Sequence, residues 1–411
     1  MQKKKRVLIV DDSAVIRGMI ARMIQDEPDI EIVGSASNGQ MAVQMYMRER
    51  PDLVLLDIEM PIMDGMEALK QIMQHDRSAK VVMCSTLTHK NAEISMQALA
   101  LGAIDYLPKP ESAREINASE NFKQTLIRMV RSIAARGAGT SYSGGSGTSA
   151  SPPAPPPTAH RPSTPPPSST PPSTPRPAGD ANTYTASSSP APLASGQATP
   201  SSIPNIFKGE VTKRAKPPSN WVPKIVAIGS STGGPQALFA ALKPLKNLPV
   251  PIVITQHMPA TFTALLAQHI FAQTGIECFE GAENMPIENG KAYIAPGGKH
   301  MLLRKGEDGR VVIKIDDGPM ENFCKPSVDP MLRSTLAIYG SKTLGVILTG
   351  MGTDGLEGMR QLVDAGGYLV AQDAETSVVW GMPGAVSKAG LCSEILPVQE
   401  IGSWVYKIVT Q

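Results

Sequence analysis

The chain of 411 residues has little of what marks metal-ribbon, secreted, membrane-spanning or nucleic-acid-binding proteins. There are four cysteines, Cys84, Cys278, Cys324 and Cys392, widely separated and without a C-x-x-C pair, so neither a zinc framework nor a disulfide scaffold is suggested. A reducing compartment suits them. Aromatics make up 4% of the chain and the formal net charge is +2, without the basic excess that phosphate neutralisation needs, so nucleic acid is not an expected partner. Long hydrophobic runs are missing too. The basic start, Lys3 to Arg6, leads into an apolar run of only four residues, Val7 to Val10, which stops at Asp11-Asp12 and falls short of a signal peptide. No other run approaches the roughly 20 apolar residues that span a bilayer. The expectation is a soluble, cytoplasmic protein without membrane insertion.

Proline is plentiful and unevenly placed. Of 37 prolines, 17 fall between Gly137 and Pro204, a stretch with three charged residues, Arg161, Arg176 and Asp180. Such a composition builds no core and predicts a disordered, partly polyproline-II linker over residues 137–220. A ligand for a proline-recognising domain is a second reading of the same blocks. Either way the chain divides into two ordered parts, 5–133 and 221–411.

In the first part, Val7 to Val10, Ile30 to Val33, Leu53 to Leu56, Val81 to Met83 and Ile104 to Leu107 read as five short strands. Helical spacing separates them, as in Val15, Ile16, Met19, Ile20 and Met23. Five strand-helix units predict a doubly wound parallel sheet, with its site at the carboxyl ends of the strands. The second part repeats the theme: Lys224 to Ile228, Pro251 to Thr255, Ala292 to Ala295, Val311 to Ile315, Leu344 to Thr349 and Tyr368 to Ala371 read as strands of a second, mainly parallel sheet.

The strand ends of the first part deliver Asp11 and Asp12, Asp57, Ser85 and Lys109 to one edge. Three carboxylates there repel one another unless a hard cation neutralises them, and oxygen donors suit magnesium. With Lys109 adding a point charge for phosphoryl oxygens, Asp57 is placed to act as a carboxylate nucleophile. The plainer alternative, helix N-capping, serves Asp12 equally well but does not explain Asp57 together with Lys109-Pro110. A haloacid-dehalogenase-type phosphatase would need D-x-D at the first strand, where Asp11-Asp12-Ser13 stands. The set resembles the receiver domain of two-component response regulators over residues 5 to about 130. That resemblance implies a flavodoxin-like fold, Asp57 as phosphoacceptor, and magnesium held by Asp11, Asp12, Asp57 and the backbone carbonyl of Glu59. It implies Ser85 as sensor of the phosphoryl group, Lys109 as its binder, and a histidine kinase as phosphodonor. Tyr106 matches the aromatic switch position, or is an ordinary half-buried strand aromatic.

In the second part, Gly229-Ser230-Ser231-Thr232-Gly233-Gly234-Pro235 follows a strand and opens a helix. The turn either cradles a phosphate or presents a serine nucleophile beneath free N–H groups. It fits neither G-x-G-x-x-G nor G-x-x-x-x-G-K-[ST]. A serine needs a base, and His257 ends the next strand; a carboxylate to orient it is offered by Asp354, in the loop Thr349 to Gly355. The bland roles are a structural strand-end histidine and an N-cap aspartate. The order Ser, His, Asp and the absence of G-x-S-x-G set the site apart from α/β-hydrolases.

These segments, with Ile254 to Pro259, Tyr293 to His300, Leu348 to Gly355 and Val379 to Pro383, resemble the catalytic domain of the chemotaxis protein-glutamate methylesterase, CheB, across essentially all of 221–411. The receiver, linker and esterase order is also that family's. The resemblance implies a Rossmann-like methylesterase with Ser231 as nucleophile, His257 as general base and Asp354 as its orienting carboxylate. Thr232 and Met351 would help shape the oxyanion site. No cofactor is implied for the esterase step. The substrates would be methyl-accepting chemotaxis receptors, whose glutamate γ-methyl esters are hydrolysed and whose glutamines are deamidated, under control of Asp57 phosphorylation. Ser230 stands where the family usually has alanine, so the choice of Ser231 rests on alignment to Ser-Thr-Gly-Gly. The linker of about 80 residues is longer than the family's usual connection, and incomplete autoinhibition is expected from so long a tether. A non-catalytic, phosphorylation-dependent adapter is the rival reading; a DNA-binding output lacks any basic helix-turn-helix pattern after residue 220.

Overall fold

Strands that are apolar on both faces need cover on both sides, and the computed structural model gives it to them; it describes residues 3–86, 88–109, 120–134 and 211–411. In the first half β1 (Lys5–Val10), β2 (Ile30–Ala36), β3 (Leu53–Asp57), β4 (Val81–Ser85) and β5 (Asp105–Pro108) pair in parallel in the order β2-β1-β3-β4-β5. Helices α1 (Ala14–Ile24), α2 (Gly39–Glu49), α3 (Gly65–His75), α4 (His89–Leu101) and α5 (Glu120–Ala134) alternate with them. Their starts are chemically specified: Ser13, Asn38, Asp64 and Thr88 each accept a hydrogen bond from an N–H of the first turn.

The second half contains β6 (Ile225–Ser230), α6 (Gly234–Leu242), β7 (Ile252–Gln256), α7 (Ala260–Thr274), β8 (Cys278–Glu280) and β9 (Ala292–Ile294). It continues with β10 (His300–Lys305), β11 (Val311–Asp316), α8 (Val328–Tyr339), β12 (Thr343–Ile347), α9 (Leu356–Asp364), β13 (Tyr368–Gln372), α10 (Met382–Lys388), β14 (Glu394–Leu396) and α11 (Val398–Thr410). Seven of these strands form an all-parallel sheet, β14-β13-β12-β6-β7-β9-β8. This order puts β12, β6 and β7 side by side. The loops that leave them therefore meet at one edge.

Three differences from the sequence expectation have physical reasons. The strand expected at Val311 to Ile315 exists but stands outside the parallel sheet, paired antiparallel with β10, whose mixed apolar and basic pattern gave no strand signal. Strands β8 and β14 are three-residue edge strands, too short to show periodicity. Finally, residues 211–220, assigned to the linker, lie on the second sheet's unit: Arg214 N–H donates to the Cys392 carbonyl at 2.8 Å, and Lys213 and Lys216 pair with Glu394 at 2.9 and 2.6 Å. Charge is sparse in the proline stretch and denser here, where Lys213 and Lys216 both reach Glu394. The rest of the linker reading, including its proline blocks, falls outside the described residues.

The two halves pack against one another within one compact unit. Met96 and Leu99 of α4 and Tyr106 of β5 join Phe262 and Leu265 of α7 in a single apolar cluster. Tyr106 stacks on Phe262 with ring centroids 4.1 Å apart and planes 10° from parallel. On the other side, Val379 is buried in the apolar cluster of the first sheet, with Met351 and Val378 packed against it.

Candidate functional site

At the carboxyl edge of the first sheet, Asp57 closes β3, Asp11 follows β1 and Lys109 follows β5. The Lys109 ammonium lies 2.7 Å from Asp57 Oδ1 and 2.5 Å from Asp11 Oδ2, and all three side chains are largely buried. Burial pushes the Asp57 carboxyl up, the Lys109 charge opposes this, and the charge of Asp11 raises it further. Burial works to lower the Lys109 pKa, but the Asp57 and Asp11 carboxylates overcome it and raise it. Asp57 Oδ1 also accepts the Ile58 N–H at 2.7 Å. Asp11, Asp12 and Asp57 each offer a carboxylate oxygen within 4.8 Å of the others. An all-oxygen, multiply anionic donor set of this kind fits magnesium. Ser85, buried at the end of β4, stands 3.3 Å from Ser95 Oγ. Glu59 is exposed in the loop after β3, its carboxylate 3.0 Å from Lys90. Tyr106 is buried against Phe262 and thus belongs to the contact between the two halves.

At the carboxyl edge of the second sheet, the two adjacent serines are distinguished by their surroundings. Ser230 is fully buried and its hydroxyl donates to Gln256 Oε1 at 2.6 Å. Ser231, one residue on, is half-exposed, while its carbonyl accepts Gly234 N–H at 2.7 Å and Gln256 Nε2 at 2.9 Å. Its own N–H donates to the Thr349 carbonyl at 3.0 Å. Two glycines make this turn possible by close approach. A Cβ on Gly234 would stand 1.9 Å from Gln256 Oε1, and one on Gly350 would stand 2.8 Å from Ser231 Cβ.

His257 follows β7 and its Nε2 is 2.7 Å from Asp354 Oδ2. Asp354 does not cap α9, whose N-cap is Gly355 without a side-chain bond. It is instead buried and saturated: Oδ2 also accepts Val328 N–H at 2.7 Å, and Oδ1 accepts Asn322 Nδ2 at 2.8 Å, Ser327 Oγ at 2.7 Å and Gly355 N–H at 3.0 Å. Burial alone would raise its pKa, yet His257 and these donors hold it down at about 2. His257 shows the complementary balance. Burial acts to lower its pKa, while hydrogen bonds and charge from Asp354 and Cys324 raise it.

The structure thus brings His257 and Asp354 together. Ser231 Oγ makes no hydrogen bond to His257; the neighbour of His257 Nδ1 is Cys324 Sγ, at 3.4 Å. Thr232 is buried beside Ser231, its carbonyl accepting the Thr349 hydroxyl at 2.9 Å, and its own hydroxyl bonds the Asp105 carboxylate of β5. Burial lifts the Asp105 pKa to about 7 against the pull of Tyr106 N–H and Thr232. Sequence reasoning missed Gln256, Asn322, Cys324 and Ser327. Gln256 stood next to His257, but a lone amide carries no motif. The segment from Asn322 to Ser327 carries no strand or helix signal, and only the tertiary fold places it beside Asp354.

Residues 226–405 match the family described as CheB methylesterase, and residues 7–119 match the response regulator receiver domain. A protein-glutamate methylesterase/protein-glutamine glutaminase of group 2 operon from Rhodospirillum centenum is 45% identical over 406 residues, spanning 99% of this chain and 94% of that protein. Protein-glutamate methylesterase/protein-glutamine glutaminase 1 of Paramagnetospirillum magneticum is 45% identical over 410 residues, spanning 99% and 96%. Among solved structures, the Thermotoga maritima CheB methylesterase catalytic domain is 40% identical, covers 45% of this chain and 98% of that one, and has a TM-score of 0.43. With such identity along nearly its whole length, the chain belongs to the protein-glutamate methylesterase/protein-glutamine glutaminase family and joins a response-regulator receiver to a CheB methylesterase domain.

Proposed function

We propose that this chain hydrolyses glutamate γ-methyl esters on methyl-accepting chemoreceptors, deamidates receptor glutamines at the same site, and is activated by phosphorylation of Asp57. The observation that carries the esterase reading is the His257–Asp354 pair at the strand edge that also presents Ser231. Asp354 occupies Nε2, so Nδ1 is the nitrogen left to take the Ser231 proton. Ser231 Oγ then attacks the ester carbonyl. Collapse of the tetrahedral intermediate breaks the C–O bond, and methanol leaves with the proton returned by His257. Water, deprotonated by His257, hydrolyses the acyl-enzyme to glutamate and frees Ser231. With a glutamine, ammonia leaves in place of methanol. Ser230 is a poor candidate for the nucleophile because its hydroxyl is spent on Gln256. Thr232 and Met351 flank the serine turn and the following strand-end loop, a placement consistent with shaping the oxyanion site.

The domain reading that goes with this is a receiver over 5–133 and a catalytic unit over 221–411, with 137–220 between them, of which 211–220 lie against the catalytic unit. In the receiver, Asp57 would take a phosphoryl group from a histidine kinase of the pathway, with Lys109 paired to its oxygens and Ser85 facing the group. Asp11, Asp12, Asp57 and the Glu59 carbonyl would hold magnesium, which neutralises the carboxylates and the incoming charge. The surface next to Ser85 and Lys109, formed by α4 and β5, is the one buried against α7, which begins three residues after His257. Release of Tyr106 from Phe262 and of Asp105 from Thr232 would free the Ser231 edge.

The decisive experiment is methanol release from methylated receptor membranes. The wild-type protein releases methanol, and Ser231→Ala falls by roughly 10⁶-fold, whereas Ser230→Ala retains measurable turnover. Loss in Ser230→Ala with retention in Ser231→Ala would reverse the assignment. Absence of release from any form would favour the adapter.

A further inference from the structure

One group beside the catalytic pair has no part in the esterase reaction: the thiol of Cys324. Its Sγ faces His257 Nδ1 at 3.4 Å. We propose that Cys324 Sγ and His257 Nδ1 form a binding site for a thiophilic divalent cation of the zinc class, and that an ion bound there shuts the esterase off. The effect on activity rests on the role given to His257 above; the binding itself does not.

Two donors bound to one zinc at about 2.3 Å (sulfur) and 2.0 Å (nitrogen), at a tetrahedral angle, stand about 3.5 Å apart. The observed separation of 3.4 Å therefore already matches that of two ligands of one ion. The rest of the arrangement is what a metal-binding histidine needs. Asp354 pairs with Nε2 at 2.7 Å, which fixes the ring and turns Nδ1 towards Cys324 Sγ. Asp354 itself accepts five hydrogen bonds, so it stays behind the ring as the orienting carboxylate rather than moving round to ligate.

The thiol is held as firmly. Glu321 and Cys324 exchange backbone hydrogen bonds at 3.1 and 2.9 Å around Asn322 and Phe323, both at positive φ, and Asn322 is tied to Asp354 and Asp329 at 2.8 Å. Cys324 and His257 are each partly exposed, so the pair is within reach of solvent. Sulfur and imidazole donors select zinc-like ions over magnesium, so the site is chemically separate from the carboxylate cluster around Asp57. Binding releases the thiol proton to solvent, and water would complete the coordination. The bound ion takes the lone pair on which the Ser231 proton would land.

The test uses the full-length protein in excess Mg²⁺, titrated with Zn²⁺ against a chromophoric chelator and, separately, with Co²⁺ to follow thiolate-to-metal absorption. One Zn²⁺ per chain is expected, weakened at least tenfold in Cys324→Ser and in His257→Gln, with bound Zn²⁺ protecting Cys324 from iodoacetamide by peptide mass spectrometry. Methanol release by the wild type should fall with occupancy and return on adding EDTA. Affinity in Cys324→Ser within twofold of wild type, or unchanged alkylation of Cys324 with Zn²⁺ bound, overturns the site. Binding that behaves as expected while methanol release is indifferent to it would overturn inhibition and the role of His257 as base, and leave the ion site standing.

Discussion

Each of the two parallel sheets ends in a buried aspartate, and the two are treated in opposite ways. Asp57 accepts one backbone N–H and one ammonium, and its pKa is raised by burial and by Asp11. Asp354 accepts five hydrogen bonds and is held at about 2. An oxygen that is to attack must keep a lone pair free of strong donors, whereas one that is to orient a histidine gains from being immobilised and permanently charged. The same residue type at the carboxyl edge of a parallel sheet is thus left lightly bonded in one sheet and saturated in the other, which suits the nucleophile and anchor roles proposed above. The difference lies in the donors that neighbouring loops bring to it.

The strongest way to break this contrast is to neutralise the anchor. Asp354→Asn should lower kcat by roughly 10³–10⁴-fold, because the amide favours the wrong tautomer of His257. The carboxylate raises the His257 pKa, so its loss should move the acid limb of the pH–rate profile to lower pH. The sign for stability follows. A histidine whose pKa is raised in the fold contributes stability that is full below its unfolded value near 6.5 and is lost as pH rises through the higher folded value. The difference in Tm between wild type and Asp354→Asn should therefore be larger at pH 6 than at pH 9, and a gap that widens with pH would contradict this balance.

Neutralising Asp57 should do less to the basal rate and more to control. A small-molecule phosphodonor with Mg²⁺ should raise methanol release by roughly 5–150-fold in the wild type and leave Asp57→Asn unchanged. EDTA should remove the same increment. A phosphodonor response in Asp57→Asn would place the phosphoacceptor elsewhere.

The contact that links the two sheets gives the smallest effect. Tyr106→Ala removes the ring stacked on Phe262, and basal release should rise by less than about tenfold, towards the phosphorylated level. Unchanged basal release, with an ordinary loss of stability measured by urea unfolding, would assign the stack to packing alone.

Much of this was legible in the residues. The continuous apolar runs around Leu8, Leu55, Val82, Val226 and Val346 announce buried parallel strands; Asp11, Asp57, Lys109, Ser231 and His257 each stand just past such a run, and Asp354 stands in the loop after one. What could not be read was whatever depends on partners remote in sequence. The Asn322 to Ser327 segment shows no periodicity, yet supplies two donors to Asp354 and the thiol beside His257. The pairing of β11 was hidden because its partner β10, His300 to Lys305, shows no apolar alternation. Likewise the choice between Ser230 and Ser231 depended on Gln256, which takes the hydroxyl of buried Ser230, while Ser231 is partly exposed.

Local pattern by itself determined the two doubly wound sheets, the proline-rich division between them and the side of each sheet on which chemistry is placed, because strand burial and strand-end position are encoded residue by residue. Only the tertiary structure decided which hydroxyl is free, which carboxylate is saturated, that Cys324 rather than Ser231 faces His257 Nδ1, and that Tyr106 is buried against Phe262. Each of these is settled by a donor, a ring or a lone pair brought from a distant part of the chain, and no local window of sequence contains it.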